Sequence, residues 1–130
     1  MKVEAVWIKN YQVNVTARQF QVPVDEAPEY GGEDTGMMPT EQFLSSLASC
    51  FCISLVYVAK KGRVELRDLK VEVIGEKDRK NSLFSKCIVE VYCSIEQDVL
   101  VSLVNKAKRY CYVTNTIKGS CPIEYKLNWN

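Results

Sequence analysis

One segment decides how this chain folds: it reads TEQFLSSLASCFCISLVYVAKK, from Thr40 to Lys61, and carries charge only at its two ends. Thr40 is a favourable N-cap residue, Glu41 suits the first turn, and Gly62 follows two lysines as a C-terminal stop. The segment therefore predicts one long helix. Because no charged residue occurs between Gln42 and Ala59, the helix has no solvent-facing stripe and is expected to be buried on all sides.

The same segment is near the length of a membrane-spanning helix, which needs about 17 or more residues. It carries four serines and a glutamine, however, and no other stretch of the chain is comparable. We therefore favour a core helix and expect no membrane partner.

Length and composition predict a single domain over residues 1–130. The 17 basic and 16 acidic residues nearly cancel and are scattered, so nucleic acid is not an expected partner. The first ten residues, MKVEAVWIKN, lack the apolar core of a secretory signal, and a cytoplasmic protein is expected. Thiols stay reduced in that compartment, so the six cysteines do not predict a disulfide framework.

Apolar residues alternate with polar ones on both sides of the helix, which predicts strands. The predicted elements are strands Lys2–Ile8, Gln12–Ala17 and Gln19–Val24, the helix Thr40–Lys61, strands Arg67–Glu76 and Phe84–Cys93, a second helix to about Tyr110 opened by a capping box at Ser94–Gln97, and a closing strand Cys121–Trp129. This order, βββ-α-ββ-α-β, is typical of an α+β fold. Between the third strand and the helix, Asp25–Pro39 shows no regular pattern, and it is either a functional loop or a solvated connector.

Three of the cysteines share strand faces with apolar residues. Cys87 and Cys93 lie on one face of their strand, and Cys121 alternates with apolar positions of the closing strand. Free cysteine is among the most buried residue types, so these three are interpreted as core residues. Cys121-Pro122 resembles a reactive Cys-Pro dipeptide, but its predicted place in a terminal strand argues against that role.

The other three cysteines are harder to assign. Cys50 and Cys52 are two positions apart on a helix and so point about 200° apart, which lets at most one of them belong to a site. The pattern alone does not say which. Cys111 lies where the second helix ends and is as consistent with packing as with reactivity. Since the chain has no histidine, a metal site would need thiolates from distant elements, and none is expected.

Two segments resemble the OsmC/Ohr family of osmotically inducible and organic-hydroperoxide-resistance proteins. The first is PVDEAPEYGGEDTGMMPTEQFLSSLASCFCISLVYVAKKG, with the acidic Gly-Gly loop, P-x-E helix start and mid-helix cysteine of that family. The second is KRYCYVTNTIKGSCPIEYKLNW, which resembles the family's second cysteine, polar turn and closing strand. The resemblance makes Cys50 the first family cysteine and Cys111 the second. It implies an intertwined homodimer with two central helices packed between antiparallel sheets.

The implied activity is thiol-dependent reduction of organic hydroperoxides. Cys50 would become a sulfenic acid, and Cys111 would condense with it to a disulfide that a dihydrolipoyl-type dithiol or a small thiol reopens. No cofactor is implied. A mid-helix thiolate needs a stabilising charge, and the resemblance assigns this to Arg18, oriented by the helix-start glutamate, Glu41. The alternative for Arg18 is an ordinary exposed residue at a strand end.

Two non-enzymatic hypotheses stand beside the peroxidase. One is a small-ligand-binding or redox-sensing dimer on the same fold, and the other is a structural dimer with idle cysteines. The distance between Cys50 and Cys111 distinguishes the peroxidase from these alternatives, because a disulfide requires Cα atoms within about 7 Å.

Overall fold

The computed structural model describes all 130 residues, Met1–Asn130. The elements in chain order are β1 (Glu4–Lys9), β2 (Gln12–Ala17), β3 (Phe20–Val24), a short 3-10 helix (Pro28–Tyr30), α1 (Pro39–Lys61), β4 (Lys70–Asp78), β5 (Leu83–Cys93), α2 (Gln97–Ala107), α3 (Tyr112–Ile117) and β6 (Ile123–Trp129). The α+β class and the predicted order are confirmed, and a short helix, α3, precedes the last strand. The chain divides into two compact units, residues 1–43 and 44–130. The single domain predicted over residues 1–130 stays a prediction.

The first unit contains an antiparallel sheet of three sequential strands, in the order β1-β2-β3. Asn10 and Arg18 adopt positive φ angles of 47° and 54° at the two tight turns that connect these strands. Tight hairpin turns favour residues with positive φ angles, because the backbone twist of such turns matches the twist of the flanking strands. The outermost strand, β1, is exposed along its whole length, and Trp7 and Ile8 are among its exposed apolar residues.

The loop after β3 is built around one buried carboxylate, that of Asp25. Its Oδ1 accepts a hydrogen bond from the Glu26 N–H at 2.7 Å. Its Oδ2 accepts three more, from the N–H of Glu33 at 3.2 Å and from the N–H and hydroxyl of Thr35 at 3.1 and 2.8 Å. The loop therefore has a defined conformation although its sequence has no periodicity.

Two glycines let the loop close on itself. A Cβ added at Gly32 would collide with the backbone carbonyl of Glu26, and one added at Gly36 would collide with that of Pro23. Both positions therefore exclude every residue with a side chain.

The second unit contains a three-stranded sheet in the order β4-β5-β6. β4 pairs antiparallel with β5, but β6 pairs parallel with β5. The expectation of purely antiparallel sheets was therefore wrong for this sheet. The reason lies in the connection: α2 and α3 form a crossover between β5 and β6, and such a crossover returns the chain to the starting end of the sheet.

The long helix α1 begins at Pro39, one residue before the predicted start, with proline in the favoured first helical position. Its buried residues include Leu47, Phe51 and Leu55. Ile53 is 69 % exposed, so within one chain the helix is not buried on all sides as expected. By length and composition α1 could cross a membrane, a test that the core helices of soluble proteins also pass.

The capping box predicted at Ser94–Gln97 is absent. α2 begins at Gln97, and its N-cap residue Glu96 makes no side-chain capping bond. The Ser94 N–H donates instead to the Arg67 carbonyl at 2.9 Å, which fixes the entry to α2 beside the start of β4. Leu100, Leu103, Val104 and Ala107 form the buried face of α2.

The Asp25 loop should depend on the charge of its carboxylate. Burial acts to raise the pKa of Asp25, but hydrogen bonds from Thr35, Glu26 and Glu33 outweigh it and hold the pKa below its ordinary value of 3.8. Because the pKa is lowered by folding, ionised Asp25 stabilises the loop at neutral pH, and that stability is lost as the pH falls through its folded-state pKa. We expect Asp25→Asn to weaken amide-exchange protection at Glu33 and Thr35 about tenfold or more at neutral pH.

Asp34→Asn is the matched control, because Asp34 is an exposed carboxylate of the same loop. Equal protection in the Asp25→Asn variant and the unsubstituted chain, read by hydrogen exchange, would contradict the role of the carboxylate.

Candidate functional site

Two of the predicted site residues, Cys50 and Cys111, lie together in the second unit. Cys50 is on α1 and Cys111 directly precedes α3, and the two free thiols lie close enough for the Cys50 thiol to raise the pKa of Cys111. Cys50 is half-buried, whereas Cys111 is fully buried. Cys50 is therefore the more exposed residue of the pair.

The turn between α2 and α3 holds Cys111 in place. Cys111 is the N-cap residue of α3, with extended backbone (φ −81°, ψ 100°). Its carbonyl accepts hydrogen bonds from the Asn115 N–H at 3.0 Å and from the Thr114 hydroxyl at 3.2 Å. The backbone that carries this thiol is thus fixed by the first turn of the helix that follows it.

Burial raises the pKa of the Cys111 thiol. The hydroxyl and backbone N–H of Thr114 act in the opposite direction, and the neighbouring Cys50 thiol adds to the rise. The net effect keeps Cys111 protonated at neutral pH, which suits a group that reacts second rather than first.

An aromatic residue that sequence analysis did not single out, Tyr125 of β6, borders the thiol pair. Its ring centroid lies 5.2 Å from that of Phe51, the residue after Cys50. Burial raises the pKa of Tyr125, a hydrogen bond with Thr114 lowers it, and the charge of Cys111 raises it again. Tyr125 and Thr114 therefore lie beside Cys111, and no local sequence signal marks either of them as a site residue.

A cleft of about 290 Å³ opens beside Tyr125. The Lys108 ammonium group lies 4.3 Å from the Tyr125 ring centroid, a cation–π contact. The cleft is lined by Lys108, Thr114, Asn115, Lys118, Ile123 and Tyr125. Its walls combine an aromatic face with two cationic side chains.

Cys52 lies outside the thiol pair. It is half-buried on α1, and burial raises its pKa. Helical geometry leaves the choice between Cys50 and Cys52 open, and Cys50 is the one of the two that raises the pKa of Cys111. Its role as the reactive thiol stays a prediction.

Arg18 and Glu41 belong to the first unit. Arg18 lies at the turn before β3, with its guanidinium 5.0 Å from the Phe20 ring centroid. Glu41 accepts a hydrogen bond from the Met38 N–H at 3.0 Å, as the acidic residue of a capping box does. These local positions agree with their predicted places in the chain, and their role toward Cys50 stays a prediction.

Comparisons with known proteins match the whole chain in fold. A model of the OsmC-like protein family matches residues 31–126. The structure is similar to an OsmC-like protein from Mycoplasma pneumoniae (TM-score 0.80, 18% identity, covering 99% of this chain and 94% of that one). It is also similar to an organic hydroperoxide resistance protein from Elizabethkingia anophelis (TM-score 0.80, 17% identity, covering 100% of this chain and 97% of that one). A third similar structure is the organic hydroperoxide resistance protein OhrB of Bacillus subtilis (TM-score 0.69, 23% identity, covering 99% of this chain and 96% of that one). A search among curated proteins finds no match.

We expect Thr114 to control the acidity of Cys111. Thr114→Val removes the hydroxyl that lowers the pKa of Cys111, so that pKa should rise further. It also removes a hydrogen bond in the core, at a cost of about 1 to 3 kcal/mol of stability. The measurement is an NMR titration of the ¹³Cβ shift of Cys111.

Thr116→Val is the matched control. Its hydroxyl, on the same short helix, donates to the Tyr112 carbonyl at 2.6 Å. An equal change in both variants, or none in Thr114→Val, would show that Thr114 only supports the local fold.

Proposed function

Because the chain belongs to the OsmC-like protein family, we propose that it reduces organic hydroperoxides with the thiol pair Cys50 and Cys111. The observation that carries the proposal is the proximity of these two thiols, one in a half-buried and one in a fully buried residue. Proteins of similar fold that are named organic hydroperoxide resistance proteins support a hydroperoxide-resistance role.

The first proposed step takes place at Cys50. Its thiolate attacks the terminal peroxide oxygen, the O–O bond breaks, and the alcohol leaves with a proton. Cys50 is then a sulfenic acid, and the hydroperoxide has accepted two electrons.

The second step uses Cys111. Its sulfur attacks the Cys50 sulfur, a disulfide forms, and the hydroxide leaves with the Cys111 proton as water. The raised pKa of Cys111 favours this order, because a protonated thiol does not compete for the peroxide. An external dithiol of the dihydrolipoyl type, or a small thiol, then reopens the disulfide by exchange, and no cofactor takes part.

The Cys50 thiolate needs a nearby positive charge, because a residue in mid-helix gains little from the helix dipole. We assign this role to Arg18 and the orientation of its guanidinium to Glu41. An arginine suits it, since the guanidinium stays charged at any physiological pH.

We propose that the working form is a homodimer in the cytoplasm, where thiol reductants are abundant. Exposed apolar side chains on α1 and β1 motivate the dimer, among them Ile53 and Trp7. Exposed apolar side chains that form a patch are typical of a protein interface.

Brief treatment of the reduced protein with one equivalent of an organic hydroperoxide should remove two hydrogens from its mass. Peptide mapping should assign the loss to a Cys50–Cys111 bridge that a dithiol reverses.

Cys50→Ser should reduce the peroxidase rate about a thousandfold or more, as loss of a nucleophile does. Arg18→Ala should slow bridge formation.

The controls are Cys52→Ser, which keeps the pair, and Arg79→Ala, which removes an exposed arginine of the β4–β5 turn. Oxidation spread over all six cysteines would exclude the peroxidase. A bridge that forms without steady turnover would favour the redox-sensing alternative.

Ile53→Lys should weaken the dimer about tenfold or more, because it places a charge in the proposed interface. Sedimentation equilibrium should give twice the chain mass of 14.8 kDa for the unsubstituted protein. Leu83→Lys, at an exposed position of β5, is the control. A monomer at every concentration would contradict the dimer.

A further inference from the structure

A second pair of thiols lies in contact, apart from the site described above. The Cys121 thiol donates to the sulfur of Cys87, and the two sulfur atoms are 3.6 Å apart. Cys87 is 0 % exposed and Cys121 is 8 % exposed, and both are free. We propose that Cys87 and Cys121 form a second redox-active pair that closes an intramolecular disulfide when it is oxidised by an organic hydroperoxide.

The backbones on both sides hold these thiols face to face. The Cys87 N–H donates to the Pro122 carbonyl at 3.0 Å, which ties the segment before β6 to β5. The Cys121 N–H donates to the Ile117 carbonyl at 2.8 Å, which ties it to the end of α3. A disulfide needs a sulfur–sulfur distance of about 2 Å, so the sulfurs must approach by about 1.5 Å, a distance that side-chain rotation can supply.

The structure also removes the argument against Cys121-Pro122 as a reactive dipeptide. β6 begins at Ile123, so Cys121 lies in the bend between α3 and β6 rather than inside the predicted strand. The preceding turn, residues 118–120, is exposed. Cys121 follows this exposed turn and is itself 8 % exposed, so a small oxidant would meet Cys121 before Cys87.

The order of reaction follows from burial. Burial raises the pKa of Cys87 to about 12, and its contact with Cys121 adds to the rise, so Cys87 is a thiol at neutral pH. Cys121, the more exposed of the two, attacks the terminal oxygen of the hydroperoxide. The O–O bond breaks, the Cys121 thiol proton passes to the departing alkoxide, and Cys121 becomes a sulfenic acid as the alcohol leaves. The Cys87 sulfur then bonds to the Cys121 sulfur, and the Cys87 proton leaves with the hydroxide as water. The two thiols supply the two electrons that the hydroperoxide takes up.

The bridge would enclose the segment that carries Cys111. Residues between Cys87 and Cys121 include α2, Cys111 and α3, so oxidation closes the whole crossover into a loop anchored on β5. A closed loop restricts the unfolded chain, and oxidation should therefore raise the denaturation midpoint. This inference goes beyond the proposed peroxidase, because neither Cys50 nor Cys111 takes part in it.

The test uses the full-length double variant Cys50→Ser/Cys111→Ser, which retains four cysteines. After reduction, the protein is exposed to an excess of cumene hydroperoxide, and its intact mass and denaturation midpoint are measured. We expect a loss of two hydrogens, a bridge mapped between Cys87 and Cys121, a raised midpoint, and reversal of all three by a dithiol.

Two further substitutions in the same background make the result specific. Adding Cys121→Ser should abolish the mass loss, whereas adding Cys93→Ser should preserve it, and circular dichroism checks that each variant is folded. No bridge in the folded double variant, or a bridge that includes Cys52 or Cys93, would overturn the proposal. Because the background lacks both thiols of the proposed peroxidase, failure here and failure of that function are separate outcomes.

Discussion

The structure depends on the burial of α1, a helix with no charged residue between Gln42 and Ala59. α1 buries Leu47, Phe51 and Leu55 completely. Each such side chain contributes about 1.5 to 3 kcal/mol when it leaves water, so the helix is stable only when it is covered. The Phe51 ring packs on Tyr125 of β6, the last strand of the chain. Cys50 is the neighbour of this anchor, and the burial that fixes the helix therefore also fixes the position of the thiol.

The two thiol pairs differ in how far water reaches them. In the first, a half-buried Cys50 stands in front of a buried Cys111; in the second, both thiols are buried. Burial favours the neutral thiol, so it raises the pKa of Cys111 and raises that of Cys87 to about 12. Access therefore agrees with the order proposed for each pair, in which the more deeply buried thiol reacts only after its neighbour has been oxidised.

The sequence predicted those elements that depend on residues close together in the chain. It did not predict features that depend on residues far apart in the chain. Alternation predicted the strands within a few residues, and an uncharged run predicted α1 within one residue. The parallel direction of β6 depends on a crossover, which no short window contains. The Asp25 loop depends on one carboxylate that joins residues up to ten positions away. Periodicity assigned Cys121 to a core face, but it could not reveal that Cys87 faces it. Cys50 and Cys111 were paired by family resemblance, whereas Thr114 and Tyr125 meet Cys111 only through the folded chain.

Cys111 has two roles in the structure, because its side chain belongs to the thiol pair and its backbone caps a helix. Cys111 is the N-cap of α3, and its carbonyl accepts the bonds that close the first turn of that helix. If the Cys111 side chain moves to form a disulfide, the Cys111 backbone, which caps α3, must adjust with it. In so short a helix, one turn is most of the hydrogen-bonded structure. If the proposed bridge between Cys50 and Cys111 closes, the first turn of α3 would therefore be disturbed as well.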